Sequence, residues 1–334
     1  MNRPTVLPTG TDRWRPVLWA GLAVGAAAGA GLLGGPESGP VSAPLAVQLG
    51  TTVTRAGMDV AGVTCVGLAL LAVFLPRPAA LPGGAARTRE QVRTVLDRTL
   101  VAVAGGWVAL VLLGIAFRAA DAFGRTLNTL DSRELIDWST KLAAGRGLLL
   151  AAGCAAAVLG AAIVRLRHPD RLQSRLPLVI ALFGVITPAV TGHAGSSPDH
   201  QLAVITVAVH AAAAALWVGG LGALLALLTR HRPLLDAVLP RFSQLAGVCV
   251  VAVGLTGVAN ALLRLGPWAA LVQTPYGWLV LAKTGALVLL AGLGGLARQR
   301  LKAGRLPVLR WAGIEVALMS VTLGLAAALT QTAS

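Results

Sequence analysis

The sequence predicts an all-α polytopic transmembrane helix bundle of about nine helices, or eight if the first is a cleaved signal. Three observations predict it. Of 334 residues, 56% are hydrophobic and only 12% charged, where an ordinary soluble domain carries about 25% charge. Mean hydropathy is +0.75. Apolar stretches long enough to cross a bilayer alternate with short Arg-rich loops. A soluble globular enzyme and a disordered chain are both excluded.

The candidate spans run at roughly 17–34, 52–76, 99–120, 141–164, 176–192, 201–229, 243–265, 277–297 and 309–330. Each approaches the ~20 apolar residues a membrane helix needs. The first either stays as a helix, packing through Gly21, Gly25 and Gly29, or is cut as a signal after Val41-Ser42-Ala43. The retained helix is favoured. The fifth is short and contains Pro188, and a break there could be satisfied only if neighbouring helices bury it. Residues 77–98 read as a basic loop, and 121–140 as a mixed-charge segment with a short surface helix. The chain reads as one membrane domain in two regions. Residues 1–180 hold the basic loops, and residues 181–334 hold the sharper motifs.

The formal charge of +15 reports topology. One alternate set of loops holds 20 Lys and Arg, and the other holds 5. The positive-inside rule then puts the N-terminus in the cytoplasm and the C-terminus outside. No nucleic-acid motif accompanies these residues, so the bilayer, with its anionic lipids, is their expected partner.

Charge within a bilayer is expensive, so each such group is a functional candidate. Arg55, Asp59, Arg146, His210 and Lys283 fall roughly 5–15 Å below the outer surface by helical rise. Glu315 lies nearer the inner surface. Arg55 and Asp59 are four apart and can pair along one helix face, which Met58, Gly62 and Cys65 continue. That pair is either self-neutralised or part of a polar site. Arg146 and Lys283 either snorkel outward or join it.

Histidine is the sharper signal. His193 and His200 flank a loop without Lys or Arg, and His210 follows inside the sixth span, with Trp217 on the same face. Three imidazoles at one helix mouth suit a metal ion or a haem. His168 and His231 sit in basic loops and read as solvated. Cys65, Cys154 and Cys249 are isolated and read as packing residues. No nucleophile–base pair, phosphate loop or paired carboxylate is visible, so no enzyme is expected.

Several blocks together carry a resemblance. They are Thr191-Gly192-His193-Ala194, then His210 with Ala213 to Leu221, Arg241-Phe242-Ser243, Thr256-Gly257, Thr274-Pro275-Tyr276-Gly277, Lys283, Leu309-Arg310 and Glu315. In this order they resemble the copper resistance D family of CopD, PcoD and YcnJ. The resemblance implies a multi-pass protein of the bacterial cytoplasmic membrane that serves copper uptake or tolerance. With copper as the cargo, as Cu(I) or Cu(II), an entry site would rest on His193, His200 and His210, with Asp59 or Asp199 as a carboxylate. Around them would stand Arg55, Met58, Arg146, Trp217, Tyr276, Lys283 and Glu315. Beyond Met1 the chain has only Met58 and Met319, so thioether ligands are scarce. Two other readings stay open. One is a haem-bearing electron-transfer protein with His193 and His210 as axial ligands. The other is an assembly partner that works with an external copper chaperone to metallate an oxidase.

Overall fold

The computed structural model describes residues 43–80, 84–169, 171–191 and 200–264, with positions 285 and 292 besides. Every regular element among the described residues is helical. In order they are α1 (Leu45–Phe74), a 3₁₀ turn (Pro78–Ala80), α2 (Ala85–Ala122), α3 (Ser132–Lys141), α4 (Ala143–Arg167) and α5 (Arg175–Val190). Then α6 (His200–Ala214) passes through a π turn (Ala215–Gly219) into α7 (Gly220–Leu227), and α8 (Arg232–Arg264) follows. Among the described residues, five helices are long and apolar enough to cross a membrane, α6 to α7 counting as one continuous span. The second to seventh expected spans all fall on helices. The first, eighth and ninth lie outside the described residues, so the expected nine is not reached.

Three boundaries differ from expectation. Most of 77–98 is helix, because α2 starts at Ala85. Glu90 pairs with Arg93, and Arg93 with Asp97 at 3.4 Å, and these i,i+3 and i,i+4 pairs carry the helix below its apolar run. α8 starts at Arg232, ahead of the expected 243, with Pro233 in its first turn, where a missing N–H is harmless. α5 runs through Pro188 and ends at Val190, two residues before the expected 192. The proline stands in the last turn, and what it costs is the single bond to the Gly184 carbonyl.

Successive long helices run antiparallel. We name the end that carries the α2–α3 connection the upper end. There α2 closes at Gly124, whose φ of 61° suits glycine. A capping box opens α3, with the Asp131 N–H donating to Glu134 Oε2 at 3.2 Å. This is the surface helix expected within 121–140.

Small residues bring the helices together, as membrane packing requires. Trp107 of α2 is 2% exposed. Its ring fills a slot between α1 and α5: a Cβ at Gly62 would lie 3.0 Å from Cζ2, and one at Gly184 2.8 Å from Cη2. At the lower end, Arg165 of α4 donates from Nε to Asp97 Oδ1 at 3.1 Å, and Asp97 is fully buried. Outward positions carry Leu112, Leu113, Leu150, Phe183, Val251 and Leu255, all exposed. Apolar side chains all around the rim suit a lipid solvent, which offers no reason to hide them.

Candidate functional site

His210 lies in the third turn of α6, half-buried against α8. Its Nδ1 is 2.9 Å from Thr256 Oγ1. One turn above, Thr206 Oγ1 is 2.7 Å from Asn260 Oδ1. The four residues form two polar rungs between α6 and α8, because positions four apart share a helix face. Thr256 directs its hydroxyl to the Ala252 carbonyl at 2.6 Å. A hydroxyl has one proton to give. With that proton on the Ala252 carbonyl, the Thr256 oxygen is set to accept from Nδ1, the tautomer in which Nε2 is the basic nitrogen. A metal-binding histidine is commonly fixed in this way, by a hydrogen bond from its other ring nitrogen. The ring also meets bare backbone, since a Cβ at Gly257 would stand 3.7 Å from Cε1.

Below His210 the helix loosens into the π turn, which contains Trp217, 6% exposed. Here α1 and the turn meet backbone to backbone. A Cβ at Gly67 would fall 2.0 Å from the Gly219 carbonyl oxygen, and one at Gly219 would fall 2.2 Å from the Val63 oxygen. The contact fixes the lower part of the histidine-bearing helix against α1.

On α1, Arg55 Nε donates to Asp59 Oδ2 at 2.9 Å. Met58, 3% exposed, lies behind them and faces Gly114 of α2. Arg146 is exposed and donates to the Lys141 carbonyl at 2.9 Å, tying α4 to the end of α3. Groups that the sequence puts at one depth thus take three separate sets of partners, because helix rotation decides which face each one shows. His200 opens α6. His193, Asp199, Tyr276, Lys283 and Glu315 lie outside the described residues. Among the described residues, no group of three or more His, Cys, Asp or Glu side chains is gathered to hold a metal. Cys65, Cys154 and Cys249 are free thiols on three different helices.

Sequence reasoning passed over Thr206, Asn260, Arg118 and the Asp97–Arg165 pair. Thr256 stood only inside a motif. The usable signal was the shared spacing: Thr206 and His210 are four apart, and so are Thr256 and Asn260.

A model of the copper resistance protein D-like N-terminal domain matches residues 45–199, and a model of copper resistance protein D matches residues 236–329. The chain belongs to the copper resistance protein D family. Its described residues are all helical wherever they are regular, and several of these helices are long and apolar enough for a multi-pass membrane protein. Of this copper resistance D chain, α1 to α5 fall within the first match and most of α8 within the second. His210 and the π turn lie between the two.

The chain is 33% identical over 187 residues to an uncharacterized protein of Mycobacterium leprae (strain TN), covering 55% of this chain and 26% of that protein. It is 29% identical over 125 residues to copper transport protein CutJ of Bacillus subtilis (strain 168), covering 36% of this chain and 23% of that protein. The chain therefore matches about a quarter of the length of these curated relatives. No solved structure matches it.

Proposed function

We propose that this protein carries copper ions across the bacterial cytoplasmic membrane, and that His210 is a ligand on the path. One observation supports this above all. The imidazole is held at Nδ1 by Thr256 of the neighbouring helix, which presents Nε2 as the metal-binding nitrogen. His193 and His200, on the segment leading into α6, would capture the ion at the upper end and pass it to His210. Neutral imidazoles suit Cu(II), or Cu(I) held between two of them. Asp59 would lend a carboxylate only on release from Arg55. The relation to the copper resistance D family and to a copper transport protein supports the choice of ion. In this reading the upper end faces outward, where an external chaperone would deliver copper. The protein acts by ligand exchange and not as an enzyme.

The test is cellular copper measured by mass spectrometry, in cells making wild-type protein, His210→Ala or His193→Ala/His210→Ala. Copper-dependent accumulation should fall to the level of cells without the protein. Unchanged copper in the double variant overturns the reading. A Soret band in the purified protein would transfer the histidines to haem.

A further inference from the structure

We infer that the upper end of the α1–α2 seam binds a phosphate-type oxyanion, held by Arg55, Arg118 and the Thr51 hydroxyl. The inference stands apart from the copper reading, and Thr51 points to it first. Thr52, Thr54 and Thr64 each return their hydroxyl to the carbonyl four residues back, at 3.0, 2.7 and 2.7 Å. Thr51 does not. It is 9% exposed, and its Oγ1 is buried with no hydrogen-bond partner among the described residues. An unsatisfied buried hydroxyl is costly enough to call for an explanation.

Helix register brings two arginines to its layer. Arg55 is one turn below on the same face and uses Nε for Asp59. Arg118 comes from the facing helix. A Cβ at Gly50 would strike the Phe117 ring, and one at Gly114 would meet Thr54 and Met58. This antiparallel register sets Arg118 level with Thr51. Arg118 is half-buried, yet it makes no hydrogen bond or ion pair among the described residues. Arg55, Asp59 and Asp121 all act on it through space.

Charge and setting decide the ligand class. Two guanidiniums against the one carboxylate of Asp59 leave the layer positive; Asp121, the other acid nearby, is exposed one turn further up. A bare copper cation would be repelled there. Above the layer sits a small apolar cluster of Ala43, Val47 and Ala120 with Phe117 and Leu130, separate from the main core. Apolar neighbours weaken screening and strengthen charge-assisted bonds. The planar guanidinium fork matches the oxygens of a phosphate, and the hydroxyl offers one more donor. A phospholipid headgroup and free inorganic phosphate share this chemistry.

The test uses the full chain in a neutral detergent, with inorganic phosphate and dioleoylphosphatidylglycerol as probes and dioleoylphosphatidylcholine as the zwitterionic control. Native mass spectrometry and the melting temperature are the readouts. Wild type should bind one probe. Arg118→Gln should bind it about tenfold more weakly, as expected when a charge-assisted bond is lost. Arg118→Lys should recover part of the affinity. Thr51→Val, nearly the same shape, should also weaken binding and carries the test if Arg118→Gln does not fold. Arg133→Gln, an exposed upper-end change, should have no effect. Stabilisation by phosphate assigns a soluble anion, and selective retention of phosphatidylglycerol assigns a headgroup. No binding to wild type, or equal binding by wild type, Arg118→Gln and Thr51→Val, overturns the inference.

Discussion

At the residue scale, the behaviour of His210 is set by a hydroxyl on another helix. Thr256 Oγ1 lies 2.6 Å from its own helix's Ala252 carbonyl and 2.9 Å from the imidazole, the geometry of a hydroxyl that donates to the first and accepts from the second. Thr256→Val keeps the shape and removes the acceptor. The ring then loses its fixed orientation, and copper accumulation should fall about tenfold, the lower end of what losing such an outer partner costs a metal site. Thr256→Ser should restore it. Equal accumulation by Val and wild type would show that the hydroxyl is idle. His210 could be read from the sequence because an ionisable group in an apolar run stands out. Thr256 was harder to read, because it bonds its own helix as most membrane threonines do, and its four-residue spacing to Asn260 matters only once α6 and α8 are known to be neighbours. Arg165 was hidden for a similar reason. Its partner Asp97 is 68 positions away, and the sequence offers no rotation angle to bring them together.

At the element scale, two contacts hold the helices in place. The first is the approach of α1 to the π turn, where any side chain at Gly67 would meet the Gly219 backbone. Gly67→Ala should destabilise the protein by about 1–3 kcal/mol, as overpacking does. Gly153→Ala, with nothing within 4 Å, should be neutral. Thermal melting in detergent compares the two, and equal melting temperatures would mean that the helices separate freely. The second is the α2–α4 ion pair, with Asp97 and Arg165 both almost fully buried. Arg165→Ala strands Asp97 with the more distant Arg93 and should cost about 3–5 kcal/mol. Adding Asp97→Ala should return part of that loss, because no uncompensated charge then stays buried. The existence of these helices was legible from hydropathy alone. Their ends were not: α2 reaches below its apolar run on Glu90–Arg93 and Arg93–Asp97 pairing, which hydropathy registers only as a polar loop. The π turn was equally silent, since Ala215 to Gly219 reads as ordinary helix.

At the scale of the whole molecule, the open question is which end faces the cytoplasm. The fold gathers Arg87, Arg89, Arg93, Arg165, Arg167, Arg171, Arg175, Arg230 and Arg232 at the lower end. The upper end holds Arg125, Arg133, Lys141 and Arg146 beside Asp121, Asp131, Glu134 and Asp137. By the positive-inside rule we propose that the lower end lies inside, since basic loops resist translocation while acids matter little. Cysteine labelling can test it on a quiet background. Cys65 is 0% exposed and Cys249 is 3% exposed, while Cys154 is half-buried within the apolar run of α4. Burial among apolar groups keeps a thiol from ionising, and the thiolate is the reactive form. Arg133→Cys and Arg171→Cys both replace exposed residues, one at each end. With a membrane-impermeant maleimide on intact cells, Arg133→Cys should label at once and Arg171→Cys only after permeabilisation. The reverse pattern would put the α6 mouth in the cytoplasm. His193 and His200 could then only receive copper from inside, and the protein would have to work as an exporter.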